Sequence, residues 1–187
     1  MKLTNRDLEV IDFLDLHKVA TTSTLEHFIY KSKRVAQRRL KIMADNKYIK
    51  RSQDFINADY CYYIEKPKQF RHSLFITEFY REFSKYVDVK YFETQKKIDH
   101  IIPDGLIGYL ENGIKKVAIL EVEISNKGFD YSKYHNFSYK KYFNTFPSVF
   151  VVTKHQIKRD SKINFIQIRD INKDLDKIFN QMRISVI

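Results

Sequence analysis

The chain has 187 residues, of which 43% are hydrophobic and 15% aromatic, enough for one ample core or two compact ones and too apolar for a disordered protein. Its 34 basic residues against 23 acidic ones leave a net charge of +11, which favours a polyanionic partner through counterion release. The single cysteine, Cys61, excludes an internal disulfide or a Cys-rich zinc site, and no stretch approaches the ~18 apolar residues of a membrane span.

The start, MKLTNRDLEV, lacks the apolar core of a signal segment, so a cytoplasmic protein without a membrane partner is expected. Thr4 followed by Asp7 has the layout of a capping box and opens a first helix. Leu8, Ile11, Phe13, Leu14 and Leu16 recur at helical spacing to about His17. A short second helix begins near Thr22 or Ser23 and carries Leu25, Phe28 and Ile29. A third runs from about Ser32 to Asn46 with Val35, Ala36, Leu40 and Met43 on its inner face. Strand signals follow at 48–51 and 60–64, separated by the turn-forming stretch 52–59. Three helices and a β-hairpin in this order are the layout of a winged helix-turn-helix.

Residues 31–51 hold nine basic groups against one acid, Asp45, and the third helix is the element that such folds lay in the major groove. Arg34, Gln37 and Arg38 share its polar face and are side-chain types that read base edges. Lys31 and Lys33, among the nine basic groups, are further DNA-binding candidates. Lys41, Lys50 and Arg51 suit phosphate contacts, which set register without reading sequence. Double-stranded DNA is therefore the expected partner.

Lys66-Pro67-Lys68 reads as a hinge, dividing residues 1–66 from a second domain at 67–187. A helix from about His72 to Tyr86 precedes strands at 87–93, 103–110 and 116–125, with Asn112-Gly113 as a hairpin turn. A helix is expected over about 130–144, then strands at 148–153 and 163–169 and a closing helix at 171–182. The fold class is α+β.

Asp104 follows a proline at the start of the middle strand. On the next strand Val117, Ile119, Glu121 and Glu123 share one face, and the hairpin brings Glu121 back towards Asp104. Acids on so apolar a strand are costly to bury unless paired or metal-bound. Three converging carboxylates would hold Mg²⁺, which polarises a phosphodiester and generates hydroxide near neutral pH.

The run Pro103-Asp104 followed by Glu121-Val122-Glu123, in a helix–strand–strand–strand–helix–strand core, resembles the PD-(D/E)xK nuclease superfamily. The resemblance implies that Asp104 and Glu121 bind the metal. Glu123 stands where the family carries its Lys, which puts activity rather than fold in question. Lys127, Lys133 or Lys140 could substitute for that Lys, with Lys133 included among the catalytic candidates beside Asp104, Glu121 and Glu123. Glu78 or Glu82 could be the acid that the first core helix often adds. Over nearly the whole chain, a winged helix joined to Pro-Asp-Gly, Leu-Glu-Val-Glu and a Lys- and Tyr-rich segment (Tyr131–Tyr134, Tyr139–Tyr142) is similar to the replication-relaxation family of plasmids and conjugative elements.

The sequence thus leads to a sequence-specific DNA-binding accessory factor of a mobile element, acting in plasmid replication or relaxosome-type initiation of conjugative transfer, beside a relaxase or replication initiator. A Mg²⁺-dependent DNA endonuclease and a transcription regulator are the alternatives. A homodimer would bind half-sites about one helical turn apart, although nothing in the sequence demands one. The scattered histidines argue against a relaxase active site. The Tyr and Lys residues of 131–142 could meet a phosphate backbone or single-stranded bases, with Tyr134 and Phe137 packing on the sheet.

Overall fold

A computed structural model describes residues 2–53, 59–144, 146–157, 160 and 163–184, the last four of these by backbone alone. The chain is a mixed α/β protein with two β-sheets, divided by its contacts into two units, Met1–Arg81 and Glu82–Ile187. Among the described residues no helix is long and apolar enough to cross a membrane.

The first unit opens with α1 (Asn5–His17), capped as its sequence implies: the Thr4 backbone N–H donates to Asp7 and the box closes reciprocally. Its buried face differs from the expected one. Val10, Leu14 and His17 point inward together with Asp7, whereas Leu8 and Leu16 are 48% and 58% exposed. Burial of Asp7 rotates the helix, because that carboxylate has a cation waiting inside.

A short strand β1 (Ala20–Thr21), not foreseen from sequence, leads into α2 (Thr22–Leu25), whose chain continues as a wider turn over Glu26–Tyr30. Lys31 then takes a left-handed conformation (φ 58°), and α3 (Lys33–Asp45) buries Ala36, Leu40 and Met43. β2 (Lys50–Gln53) and β3 (Tyr60–Tyr63) complete an antiparallel sheet in the order β1-β3-β2. Most of the turn-forming stretch, 54–58, lies outside the described residues. Cys61 is buried with Val19 and Leu74.

The expected helix after the Lys66-Pro67-Lys68 segment is α4 (Phe70–Phe83), and the division between the units falls near its end, whereas the sequence marks a hinge at 66–68.

The second unit is built on one five-stranded sheet, β4 (Asp88–Thr94), β5 (Gly105–Glu111), β6 (Ile114–Glu123), β7 (Ser148–Thr153) and β8 (Phe165–Ile168), in that spatial order, with α5 (Ile171–Ile184) last. The first three strands are antiparallel and the last two pairings parallel. Asn112 and Gly113 both have positive φ (50° and 79°), as the tight β5–β6 hairpin requires.

The expected helix over 130–144 does not form. Short 3₁₀ turns stand there instead, at Ser132–Tyr134 and Tyr139–Lys141. Apart from Lys133, Lys140 and Lys141 the segment is made of aromatics, Asn, Ser, Asp and His, all mediocre helix formers. Its rings Tyr131, Tyr134 and Phe137 recur every third residue, the repeat of a 3₁₀ turn rather than an α-helix. Side-chain packing holds it: Tyr134 and Phe137 join Leu106, Ile119, Val149 and Val151 in one core over the sheet. Phe83 packs edge-on against Tyr109, Phe150 and Phe179 in a second aromatic cluster.

Candidate nucleic-acid interface and carboxylate site

Helix α3 is rich in Lys, Arg, Gln, Leu, Met and Ala, the strongest helix formers, so its local preference and its tertiary place agree. Arg34, Gln37, Arg38 and Lys41 fall at i, i+3, i+4 and i+7, and all four are exposed on one face. Lys31, Lys33 and Lys50 are exposed as well, and Arg51 is half-buried.

Several of these cations have acid partners. Lys33 reaches Asp59 at 3.4 Å, while Lys41 and Arg51 share Asp45 at 3.2 and 3.6 Å. Arg51, on β2, also lies over the ring of Tyr60 on β3, 5.0 Å from its centre, and so adds a side-chain contact across the two strands. Such exposed pairs are weak and readily exchanged for phosphate. Arg34, Gln37 and Arg38 carry no ion pair or side-chain hydrogen bond among the described residues.

Arg39 is different. It turns inward and grips Asp7 with both arms of its fork, Nε donating to Oδ1 at 2.7 Å and Nη2 to Oδ2. Asp7 has no exposed surface, yet its pKa is pulled down to about 2, first by the Arg39 hydrogen bonds and then by Thr4, against the opposing effect of burial. One of the nine basic groups of 31–51 is therefore a structural clamp between α3 and α1.

In the second unit, the β5–β6 register pairs Gly105 with Leu120 and so sets Asp104 across from Glu121. The Asp104 carboxylate accepts the Val122 backbone N–H at 2.8 Å, closing the end of the ladder. Glu121 is buried and holds two donors: Lys133 Nζ lies 2.8 Å from Oε1, and the Tyr134 hydroxyl donates to the same oxygen.

Burial pushes the Glu121 pKa up, and the nearby Asp104 charge adds to this, while Lys133 and Tyr134 pull the other way. Burial and the Glu121 carboxylate likewise raise the Tyr134 phenol well above its ordinary value. The turn bearing Lys133 is anchored through His100, whose Nε2 contacts the Lys133 carbonyl oxygen at 2.8 Å and whose Nδ1 contacts Asp99 at 3.1 Å. Asp99 is in turn lowered by its hydrogen bond to His100.

The sequence anticipates three converging acids, and two meet. Glu123 accepts the Ser125 backbone N–H at 2.7 Å and so closes the turn after β6. Of the three lysines weighed for the substituted position, Lys133 is the one placed on Glu121. Glu78 accepts hydrogen bonds from Thr21 and Thr24, both at 2.7 Å, and pairs with Arg81 at 2.9 Å, while Glu82 pairs with Lys85 at 2.7 Å.

Among the described residues no group of three His, Cys, Asp or Glu side chains is arranged to hold a metal ion. The donor chemistry fits a lysine–carboxylate pair better than a cation site, since a divalent ion would compete with Lys133 and Tyr134 for the same Glu121 oxygen. The Tyr134 hydroxyl has a place here that sequence reading misses, which assigns that residue to packing alone. The signal was available, because a buried tyrosine hydroxyl needs a partner and Glu121 is the buried acid nearest in sequence.

Compared with protein-family models, with characterised proteins and with solved structures, the chain matches none.

Proposed function

We propose that the first unit is a winged helix-turn-helix that binds double-stranded DNA through α3 and the β2–β3 hairpin, and that the protein is a DNA-binding accessory factor of a mobile element. The observation that carries this reading is the exposed face of α3, where Arg34, Gln37 and Arg38 stand without acid partners at helical spacing. A solvated surface helix ordinarily mixes both signs of charge. On this helix the one acid is at the far end, Asp45, and it is already shared between Lys41 and Arg51. In this reading Arg34, Gln37 and Arg38 face base edges, and Lys31, Lys33, Lys41, Lys50 and Arg51 face phosphates. The second unit, in the reading as a PD-(D/E)xK-like domain, serves as a platform in an assembly at a replication or transfer origin. Support for the origin comes from the sequence resemblance in Pro103-Asp104-Gly105 and Leu120–Glu123.

The test is fluorescence anisotropy on duplex DNA flanking the protein's own coding sequence, at several salt concentrations. Arg34→Ala combined with Arg38→Ala should weaken binding by at least tenfold and relax base preference, and Lys41→Ala combined with Lys50→Ala should flatten the salt dependence by the equivalent of one to two phosphate contacts. Unchanged affinity and salt slope would remove α3 from the interface.

A second reading, a metal-dependent DNA endonuclease, rests on the placement of Asp104 opposite Glu121 at the ends of adjacent strands, with Lys133 of the following 3₁₀ turn on Glu121. Incubation of supercoiled plasmid with Mg²⁺ or Mn²⁺ separates the two. Nicking by the natural protein that is lost in Glu121→Ala selects the nuclease, and retention without cleavage by either protein selects the accessory factor.

A further inference from the structure

We propose that a groove in the second unit, lying between β4, the β5–β6 hairpin and residues 142–144, binds single-stranded DNA by stacking bases on Tyr91 and Tyr142 and holding phosphates with Lys90 and Lys115. The groove encloses about 630 Å³, within the range of small-molecule and nucleotide sites. This inference does not depend on the α3 reading, since every residue it uses belongs to the second unit.

The two rings are presented rather than packed away. Tyr91 rests directly on the β5 backbone at Gly108, where an added Cβ would fall 2.0 Å from a ring carbon. The glycine thus seats the ring, yet Tyr91 remains 41% exposed. Tyr142, at the end of the second 3₁₀ turn, is 48% exposed on the other side of the groove. Anchored aromatic faces open to solvent are what unstacked bases require, and a duplex offers them no base face.

Charge selects the occupant. Lys90 and Lys115 line the groove, whereas Lys116, next along β6, turns to the other face of the sheet and pairs with Glu111. Lys115 has no ion pair among the described residues, while Lys90 pairs with Asp88 at 2.5 Å. That pair lies at the surface, where such bonds contribute little and phosphate can displace them. An apolar peptide would leave these cations unanswered. Two exposed rings in one groove offer faces for two bases, which favours an oligonucleotide over a mononucleotide.

The test uses the full chain and a 5′-labelled oligonucleotide of twelve thymidines in fluorescence anisotropy. Tyr142→Ala and Lys115→Glu, both at exposed positions, should each weaken binding about tenfold while thermal melting is unchanged. Tyr91→Ala should weaken it at least as much. Arg34→Ala with Arg38→Ala should leave this binding intact, and Tyr142→Ala should leave duplex binding intact, so failure here and failure of the α3 reading are told apart. Equal binding by the natural protein and Tyr142→Ala/Lys115→Glu overturns the proposal, as does no binding at all. Displacement by thymidine monophosphate as effective as by the oligonucleotide overturns it also.

Discussion

Each unit of the molecule buries a carboxylate against a cation, and the two pairs are built to opposite effect. In the first unit Asp7 lies in the rigid fork of Arg39 and closes a capping box with Thr4, so its charge is fully answered and its pKa falls to about 2. In the second unit Glu121 meets the flexible Lys133 and one phenol, with Asp104 nearby, and burial pushes its pKa up. A guanidinium fork matches both carboxylate oxygens at once, whereas an ammonium is a point charge on a mobile stem. The first arrangement is a permanent bolt between helices. The second leaves the burial of its carboxylate only partly offset, so its pKa stays raised.

Removing the cation from each pair tests the contrast most strongly. Arg39→Ala strands a fully buried carboxylate and should cost about 3–5 kcal/mol of stability, read by urea melts followed by far-UV circular dichroism. Lys133→Ala should cost only about 1 kcal/mol, because the partner cation is one-third exposed and the Tyr134 hydroxyl stays on Glu121. Equal losses would abolish the distinction between the two pairs.

Acid should then act on the two units with opposite sign. Burial lowers His17 from its ordinary 6.5 to about 4, so the folded state keeps it neutral while the unfolded chain takes up a proton. Its contribution, about 3 kcal/mol, is present above pH 6.5 and is lost as the pH falls towards 4. Asp7 follows between pH 3.8 and about 2. Glu121 has a raised pKa, so its contribution is greatest below its ordinary 4.5 and declines as the pH rises. Amide exchange at pH 4.5 and 7, compared across the natural protein, His17→Phe and Glu121→Gln, reads each unit separately. His17→Phe should flatten the acid loss in the first unit, and Glu121→Gln should flatten the alkaline decline in the second. The same pH trend in both units, unaffected by either variant, would defeat the assignment.

The smallest effect should come from Gly113→Ala. No atom lies within 4 Å of the added Cβ, so only the positive φ is strained, at a cost of about 1 kcal/mol. Because this hairpin sets the register that brings Glu121 opposite Asp104, faster exchange should appear in the second unit alone. Faster exchange in α1 or α3 would show that the two pairs are not independent.

Much of this was legible in the residues themselves. The Thr4/Asp7 box, the Asn112-Gly113 turn, the inner face of α3 and β7 at Ser148–Thr153 all rest on interactions within a few residues or on a strong local period. Leu8 and Leu16 misled, because helical spacing alone does not tell which stripe faces inward once Asp7 has a buried partner thirty-two residues away. The 130–144 segment misled in another way. The sequence reads there as a helix between two strands, but the aromatic side chains win their place by packing on Ile119 and Val149 rather than by helical hydrogen bonds.

The sequence by itself determined the order of the strands of the second unit, the sign of the charge on α3 and the pairing of Asp104 with Glu121, since turn chemistry, strand alternation and residue charge are properties of near neighbours. Only the tertiary structure decided that Arg39 is a clamp, that Glu123 turns away to Ser125, that Lys133 and Tyr134 close on Glu121, and that Gly108 seats Tyr91 beside a groove. Each of those outcomes depends on side chains far apart in the chain competing for the same donor, acceptor or volume, and local pattern carries no record of who wins.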